Sequence, residues 1–336
     1  MKHDVTRRDF IRQTMIGIVA AGMSPQKIWA GSPGSIPKAG SIPKRVLGKT
    51  GVPVSILGLG GSHISRIKDD GEAVRFVRAA IDAGVTFLDN AWEYHGGRSE
   101  ELMGRALQDG YRAKVFLMTK HHGRDKGTAL KHLEDSLRRL RTDVIDLWQF
   151  HEVIYEDDPG MILAKGGGIE AAEEARKAGK VKYIGFTGHK DTGLFLEMLD
   201  SDFDWDAVQM PFNVFDPHFR SFQETILPIL LKRNIGVIAM KTLTGGYLLQ
   251  AGVVTPREAL TYVWSQPVST IVSGMESWEY LHDNIEAART FKAMSRREQK
   301  DLLAGTKDKA LTGQYEPFKT SRRFDGWVGR KLHGLD

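Results

Sequence analysis

From Gly48 onward, short runs of β-branched and apolar residues alternate with longer amphipathic segments, and each run stops near Gly, Asp, Lys, His or Asn. Short apolar runs predict strands, and apolar positions recurring every three to four residues predict helices. Strands are expected at Val54–Leu59, Thr86–Asp89, Val115–Thr119, Val144–Phe150, Val181–Phe186, Ala207–Met210, Gly236–Met240 and Thr270–Ser273. The segments between them read as helices; Thr128–Leu140, for example, sets Leu130, Leu133, Leu137 and Leu140 on one stripe. Strands that are apolar throughout need cover on both faces, and eight βα units in roughly 250 residues predict an α/β fold of the closed eight-stranded (β/α)8 TIM-barrel type. An open doubly wound sheet fits less well, because Gly58, Gly60 and Gly61 miss the G-x-G-x-x-G spacing after the first strand. Arg45–Val54, with turn residues Gly48, Thr50 and Gly51, predicts an N-terminal hairpin closing the barrel floor. Beyond Ser295 a further helix and a polar tail, Thr312–Asp336, form a C-terminal extension outside the repeat.

The first 30 residues have a different character. Thr6-Arg7-Arg8-Asp9-Phe10-Ile11-Arg12 precedes a short apolar stretch, Met15–Met23, and then Lys27 and Ile28-Trp29-Ala30. A charged segment, a short apolar core and a Gly/Ser/Pro-rich follow-on form a signal-peptide layout, and the apolar run is about half the ~20 residues of a permanent transmembrane helix. The heptad resembles a twin-arginine signal. That resemblance implies export of an already folded protein to the periplasm by the twin-arginine machinery, with cleavage expected after Ala30 although Ile28 is a poor match to the cleavage consensus. The expected organisation is a signal at 1–30, a flexible linker at 31–44, and one barrel with its extension at 45–336.

The leader also changes the reading of charge. It holds five basic residues against two acidic ones, so without it the balance falls from 47 against 42 to 42 against 40, too even to argue for nucleic acid. Hydrophobic residues at 41% and charged residues at 26% are those of a globular chain rather than a disordered one. With no cysteine, disulfides, thiolate metal sites, iron–sulfur clusters and cysteine nucleophiles are excluded.

In such a barrel the reactive groups stand just past the carboxyl ends of the strands. Three consecutive strands there end in ionisable groups: Asp89, followed five residues later by Tyr94; Lys120; and His151. A buried lysine needs an acidic partner, which Asp89 can supply from the adjacent strand. The ammonium is expected to lower the phenol pKa of Tyr94 from about 10 and make it a usable acid. His151 is placed to orient a carbonyl by hydrogen bonding. His95, His121, His122 and His189 also lie near the rim, but none has a partner at familiar metal-ligand spacing, so no metal is expected. Trp92, His95, Phe212 and the tail from Phe318 to Trp327 are candidates for lining a pocket.

These residues resemble those of the aldo-keto reductases. The match runs from Arg45 to about Arg289, through Leu47-Gly48-Lys49-Thr50-Gly51, Gly58-Leu59-Gly60-Gly61, Asp89-x4-Tyr94, Gly104, the Lys120 and His151 strand ends, and Gly179-Lys180-Val181-Lys182-Tyr183-Ile184-Gly185. The resemblance implies a catalytic tetrad of Asp89, Tyr94, Lys120 and His151 and a nicotinamide cofactor, NADP or NAD. Thr187 and Gly188 stand where the family has Ser and Asn on the carboxamide, Gln209 matches its glutamine, and Met240 replaces a stacking aromatic ring. Lys241, Thr242, Leu243 and Gly245 match the pyrophosphate loop. Gly274 and Tyr280 occupy the positions of the Lys and Arg that hold a 2′-phosphate, while Asp283 and Asn284 match adenine contacts. The implied activity is reversible reduction of an aldehyde or ketone, sugar carbonyls among the candidates, to an alcohol. Export, away from cytoplasmic cofactor recycling, adds the expectation that the nucleotide is held tightly. A nucleotide-binding sensor or partner subunit with little turnover is the alternative, and metal-dependent hydrolysis in the barrel mouth a third reading.

Overall fold

The computed structural model describes residues 40–335, so the expected leader and most of the linker lie outside the described residues. A two-stranded antiparallel hairpin comes first: β1 (Lys44–Val46) and β2 (Pro53–Ser55), joined through a 3-10 turn at Gly48–Thr50. Eight parallel strands then close a barrel: β3 (Leu57–Gly60), β4 (Phe87–Asp89), β5 (Phe116–His121), β6 (Ile145–Phe150), β7 (Val181–Thr187), β8 (Ala207–Pro211), β9 (Gly236–Met240) and β10 (Thr270–Ser273). Each pairs with its sequence neighbour, and β10 returns to β3.

The strands agree with the hydrophobic pattern except at the first, where the single run Val54–Leu59 divides between hairpin and barrel. Ser55 makes the break: its Oγ donates to Leu57 O at 2.6 Å and accepts from Thr86 N at 2.8 Å, tying the chain to the entry of β4. The hairpin closes the floor as expected. Lys49 N donates to Asn234 O at 2.6 Å, and Leu47 and Val54 pack with Phe87, Phe116, Met118, Leu147, Ala207 and Ile238 inside the lower barrel.

The helices start where side chains satisfy their free N–H groups. The helix read from Thr128 begins at Lys126, because Asp125 accepts from Thr128 N at 2.9 Å. Gly104 is required where that helix crosses Arg98–Ala106: a β-carbon there would fall 2.7 Å from the backbone of Leu140. The main apolar core lies between strands and helices, with Trp148, Trp205, Trp264 and Phe186 fully buried.

The extension returns over the open end of the barrel rather than standing apart. After the helix Arg296–Ala310, capped by Ser295 and Glu298, come two short helices, Pro317–Thr320 and Trp327–Leu332. Lys319 anchors the first, fully buried and paired with Asp216 at 2.7 Å and Glu316 at 3.0 Å. Asp325 anchors the second through Lys190 at 2.6 and 2.7 Å. No helix among the described residues is long and apolar enough to cross a membrane.

Candidate active site

The mouth is built from the ends of β4, β5 and β6, whose register sets Lys120 beside Gln149 and His121 beside Phe150. Asp89 is the last residue of β4, and Tyr94 opens a 3-10 turn, Tyr94–Gly97, after it. Left-handed backbone at His95 (φ 51°), Glu152 (φ 50°), Lys241 (φ 57°) and Thr244 (φ 50°) marks the surrounding loops, and such conformations cluster where a site over-determines its geometry.

Lys120 is the hub of this arrangement. Its Nζ donates to Asn90 O at 2.7 Å and Tyr94 Oη at 3.1 Å and pairs with Asp89 Oδ2 at 2.8 Å, using all three of its N–H bonds. Asp89 Oδ2 also accepts from Gln209 Nε2 at 3.0 Å. Because the tyrosine oxygen accepts from the ammonium, its own proton is directed elsewhere. His151 lies edge-on to the Tyr94 ring, centroid to centroid 5.6 Å. The four residues read from the strand ends are therefore together.

Their electrostatics depart from expectation. Burial lifts the Tyr94 phenol well above its ordinary value, and Asp89, Glu93 and Glu152 push the same way. The expected acidification by Lys120 does not prevail, because three carboxylates and desolvation oppose one ammonium already engaged by Asp89. Tyr94 is thus a neutral phenol that keeps its proton at physiological pH. Burial lowers Lys120, with Asp89 pulling it back, and burial holds His151 well below its usual range, with His122 and Lys120 adding to the effect. Burial beside Glu93 lifts Glu152 to about 7.

The positions matched to cofactor contacts are placed unevenly. Thr187, Gln209 and Thr242 are buried at the mouth, and Gln209 Oε1 and Thr242 Oγ1 have no partner in the protein. Gly188 has a physical reason to replace asparagine: a β-carbon would run into Val153 O and the Phe195 ring. Met240 and Leu243 are half-buried, and Gly245 (φ 70°) is exposed. Lys241 is covered by the tail, with Phe324 4.9 Å and Phe318 5.9 Å from its ammonium. The His63 ring fills the space a side chain on Gly274 would need. Tyr280 and Asp283 are exposed. Asn284 is engaged locally, accepting from Ser273 Oγ at 2.9 Å and donating to Tyr280 O at 2.8 Å.

Among the pocket-lining candidates, Trp92 instead stacks on His132 at 3.8 Å and donates to Asp135, Phe212 is fully buried, and Trp327 is exposed. No rim histidine has a partner at familiar metal-ligand sequence spacing, but the fold brings partners together in space. Glu93, His122 and His151 converge, with candidate ligand atoms all within 4.8 Å of one another. Barrel adjacency rather than short sequence spacing brings them together, which is why motif reading misses them.

A closed parallel barrel whose mouth sets a protonated phenol on a buried, ion-paired lysine is a (β/α)8 scaffold equipped for proton transfer. Residues 56–259 match the Aldo/keto reductase family, and the chain belongs to that family of oxidoreductases. It is similar to the uncharacterized oxidoreductase YqkF of Bacillus subtilis, 27% identical over 311 residues, covering 79% of this chain and 96% of that protein. Among solved structures it resembles the aldo-keto reductase AKR11C1 from Bacillus halodurans, with TM-score 0.68 and 23% identity over 82% of this chain and 99% of that one. It also resembles an aldo/keto reductase from Klebsiella pneumoniae in complex with NADP and acetate, with TM-score 0.62 and 23% identity over 78% and 94% of the two chains.

Proposed function

We propose that this protein is an exported, nicotinamide-dependent reductase that interconverts an aldehyde or ketone, sugar carbonyls included, with the corresponding alcohol. The observation that carries the reading is the Asp89–Lys120–Tyr94 chain, with Nζ at 2.8 Å from the carboxylate and 3.1 Å from the phenol. When bound, the nicotinamide supplies the hydride chemistry. The protein's own work is to deliver and retrieve a proton at Tyr94 Oη, to hold the substrate oxygen against that hydroxyl and His151, and to exclude water with the returning tail. This intact network favours turnover over a sensor role.

The mouth suits such a cofactor in the chemistry of its donors. Gln209 Oε1 and Thr242 Oγ1 are buried polar atoms awaiting a partner, and a carboxamide and a diphosphate carry complementary groups. Thr187, Met240, Lys241, Leu243 and Gly245 complete the lining. The NADP named in the Klebsiella structure supports the nicotinamide class, but the rim of this chain favours NAD. Gly274 and Tyr280 bring no cation, and the nearby arginine, Arg66, is engaged by Glu276 at 2.7 Å. A carboxylate accepts from a ribose 2′-hydroxyl and repels a 2′-phosphate. Glu276→Arg is expected to move the NADP-to-NAD ratio of kcat/KM toward NADP by about tenfold or more, for roughly 1.4 kcal/mol of altered charge interaction.

The direct test adds NADH or NADPH to purified protein with a panel of aldehydes, ketones and reducing sugars and follows loss of nicotinamide absorbance. Reduction of at least one carbonyl class supports the reading, and absence of nucleotide binding defeats it. Export rests on the paired arginines Arg7 and Arg8. Replacing both with lysine is expected to leave the protein in the cytoplasmic fraction, and unchanged periplasmic recovery counts against twin-arginine transport.

A further inference from the structure

Three consecutive strand ends deliver Glu93, His122 and His151 to one point beside the tetrad. Glu93 Oε2 lies 3.2 Å from His122 Nε2, and Glu93 Oε1 lies 3.4 Å from His151 Nδ1. The three residues are 7%, 2% and 6% exposed. Even so, Glu93 Oε2, both ring nitrogens of His122 and His151 Nδ1 make no hydrogen bond. A carboxylate bridging two imidazole N–H groups would show charge-assisted bonds of about 2.7–2.9 Å, and these contacts, at 3.2 and 3.4 Å, are longer. Buried polar atoms that converge without bonding one another imply a missing partner between them.

We propose that Glu93, His122 and His151 bind one divalent transition-metal ion of the zinc class, through the Glu93 carboxylate, His122 Nε2 and His151 Nδ1. Two imidazoles and one carboxylate are an established donor set for zinc and for ferrous iron. Ligand bonds of about 2.0–2.1 Å in tetrahedral geometry separate neighbouring donor atoms by about 3.3 Å. The two measured pairs, at 3.2 and 3.4 Å, have that separation, one through each oxygen of the Glu93 carboxylate, and all three candidate donor atoms lie within 4.8 Å of one another.

The surroundings leave this site its charge. Lys120 is committed to Asp89, and Arg124 is held by Asp158 at 2.7 Å and by the carbonyls of His151 and Glu152 at 2.8 and 2.9 Å. No lysine or arginine pairs with Glu93 among the described ion pairs. Gly326 covers the site from the tail, and its missing side chain is what permits this: a β-carbon there would fall 2.6 Å from both Glu93 Oε1 and Glu152 Oε2. Glu152 and the Gly326 backbone therefore border the fourth coordination position.

A metal on Nδ1 leaves the proton of a neutral imidazole on Nε2, the nitrogen turned away from Glu93. In that state His151 can donate to a substrate oxygen, whereas Glu93 alone would draw the proton to Nδ1. This consequence, unlike the binding itself, rests on the reductase reading above.

The test uses the full chain, stripped with chelator and then titrated with Zn2+ and with Co2+ in the absence of nucleotide and substrate. One equivalent of zinc should remain after gel filtration. Co2+ should produce a visible absorption band and two far-shifted, exchangeable imidazole N–H resonances. His122→Gln and Glu93→Gln, each checked for wild-type circular dichroism, should weaken zinc binding at least about 100-fold. Retention of under a tenth of an equivalent, no shifted imidazole signals, or parental zinc affinity in both variants would overturn the proposal. Because nothing in this measurement requires turnover, its failure leaves carbonyl reduction standing, and failed reduction leaves the metal site standing.

Discussion

Tyr94→Phe should lose about 10²- to 10⁴-fold in kcat for carbonyl reduction while nucleotide affinity stays within a fewfold of the parent. The change removes one oxygen from a half-buried ring and leaves Lys120 with Asp89 at 2.8 Å and Asn90 O at 2.7 Å, so the ion pair beneath the ring keeps its geometry. What disappears is the only hydroxyl that accepts from the ammonium while keeping a proton of its own to give. Burial and three carboxylates hold that proton on Tyr94, so the acid is present in its working form throughout the neutral range. Catalytic acidity must then develop as negative charge grows on the substrate oxygen, rather than pre-exist as phenolate. Steady-state kinetics with paired nucleotide titrations check this. An unchanged kcat removes Tyr94 from the chemistry, and an equal loss in nucleotide affinity assigns it to binding instead.

The grouping of these four residues was legible because Asp89, Lys120 and His151 stand at the ends of consecutive apolar strands, which the barrel sets side by side, and Tyr94 follows Asp89 by five residues. The same reasoning misjudged the direction of the Tyr94 pKa. Glu93 and Glu152 sit next in sequence to Tyr94 and His151, but whether they face inward depends on the left-handed backbone at Glu152 and on the covering tail, neither of which has periodicity. His122 was read as one of several rim histidines, because its partners are distant in sequence but share the barrel mouth. The tail was opaque for a related reason. Its polar run carries no repeating stripe, and its anchors are single side chains whose partners, Asp216 for Lys319 and Lys190 for Asp325, lie more than a hundred residues away. A hydrophobic pattern reports which face of an element is buried; it carries no information on which single charge meets which.

Asp325→Ala should detach the tail from the mouth and, if the nucleotide is held tightly, speed its release. The Asp325 side chain is fully buried and accepts from Lys190 at 2.6 and 2.7 Å and from Tyr155 Oη at 3.2 Å, with His189 3.8 Å away. Removing it strands the Lys190 ammonium and frees the segment carrying Phe324 and Gly326, which cover Lys241 and the Glu93–Glu152 pair. Burial works to raise the Asp325 carboxyl, but His189 and Lys190 outweigh it and hold it at about 2 against 3.8. That difference corresponds to roughly 2 kcal/mol, in line with the ~3 kcal/mol expected for breaking a buried pair. Since the folded pKa is depressed, this stability is complete above pH 3.8 and is lost as pH falls toward 2. His189 acts earlier: burial lowers it to about 4 from 6.5, so the folded state resists its protonation and stability declines as pH falls between those values. The parent protein should therefore lose stability in two steps on acidification, and Asp325→Ala should lack the lower one. Denaturant melts across pH, with nucleotide off-rates measured at neutral pH, check both parts. A variant with parental stability and an unchanged off-rate would show that the tail merely rests on the mouth.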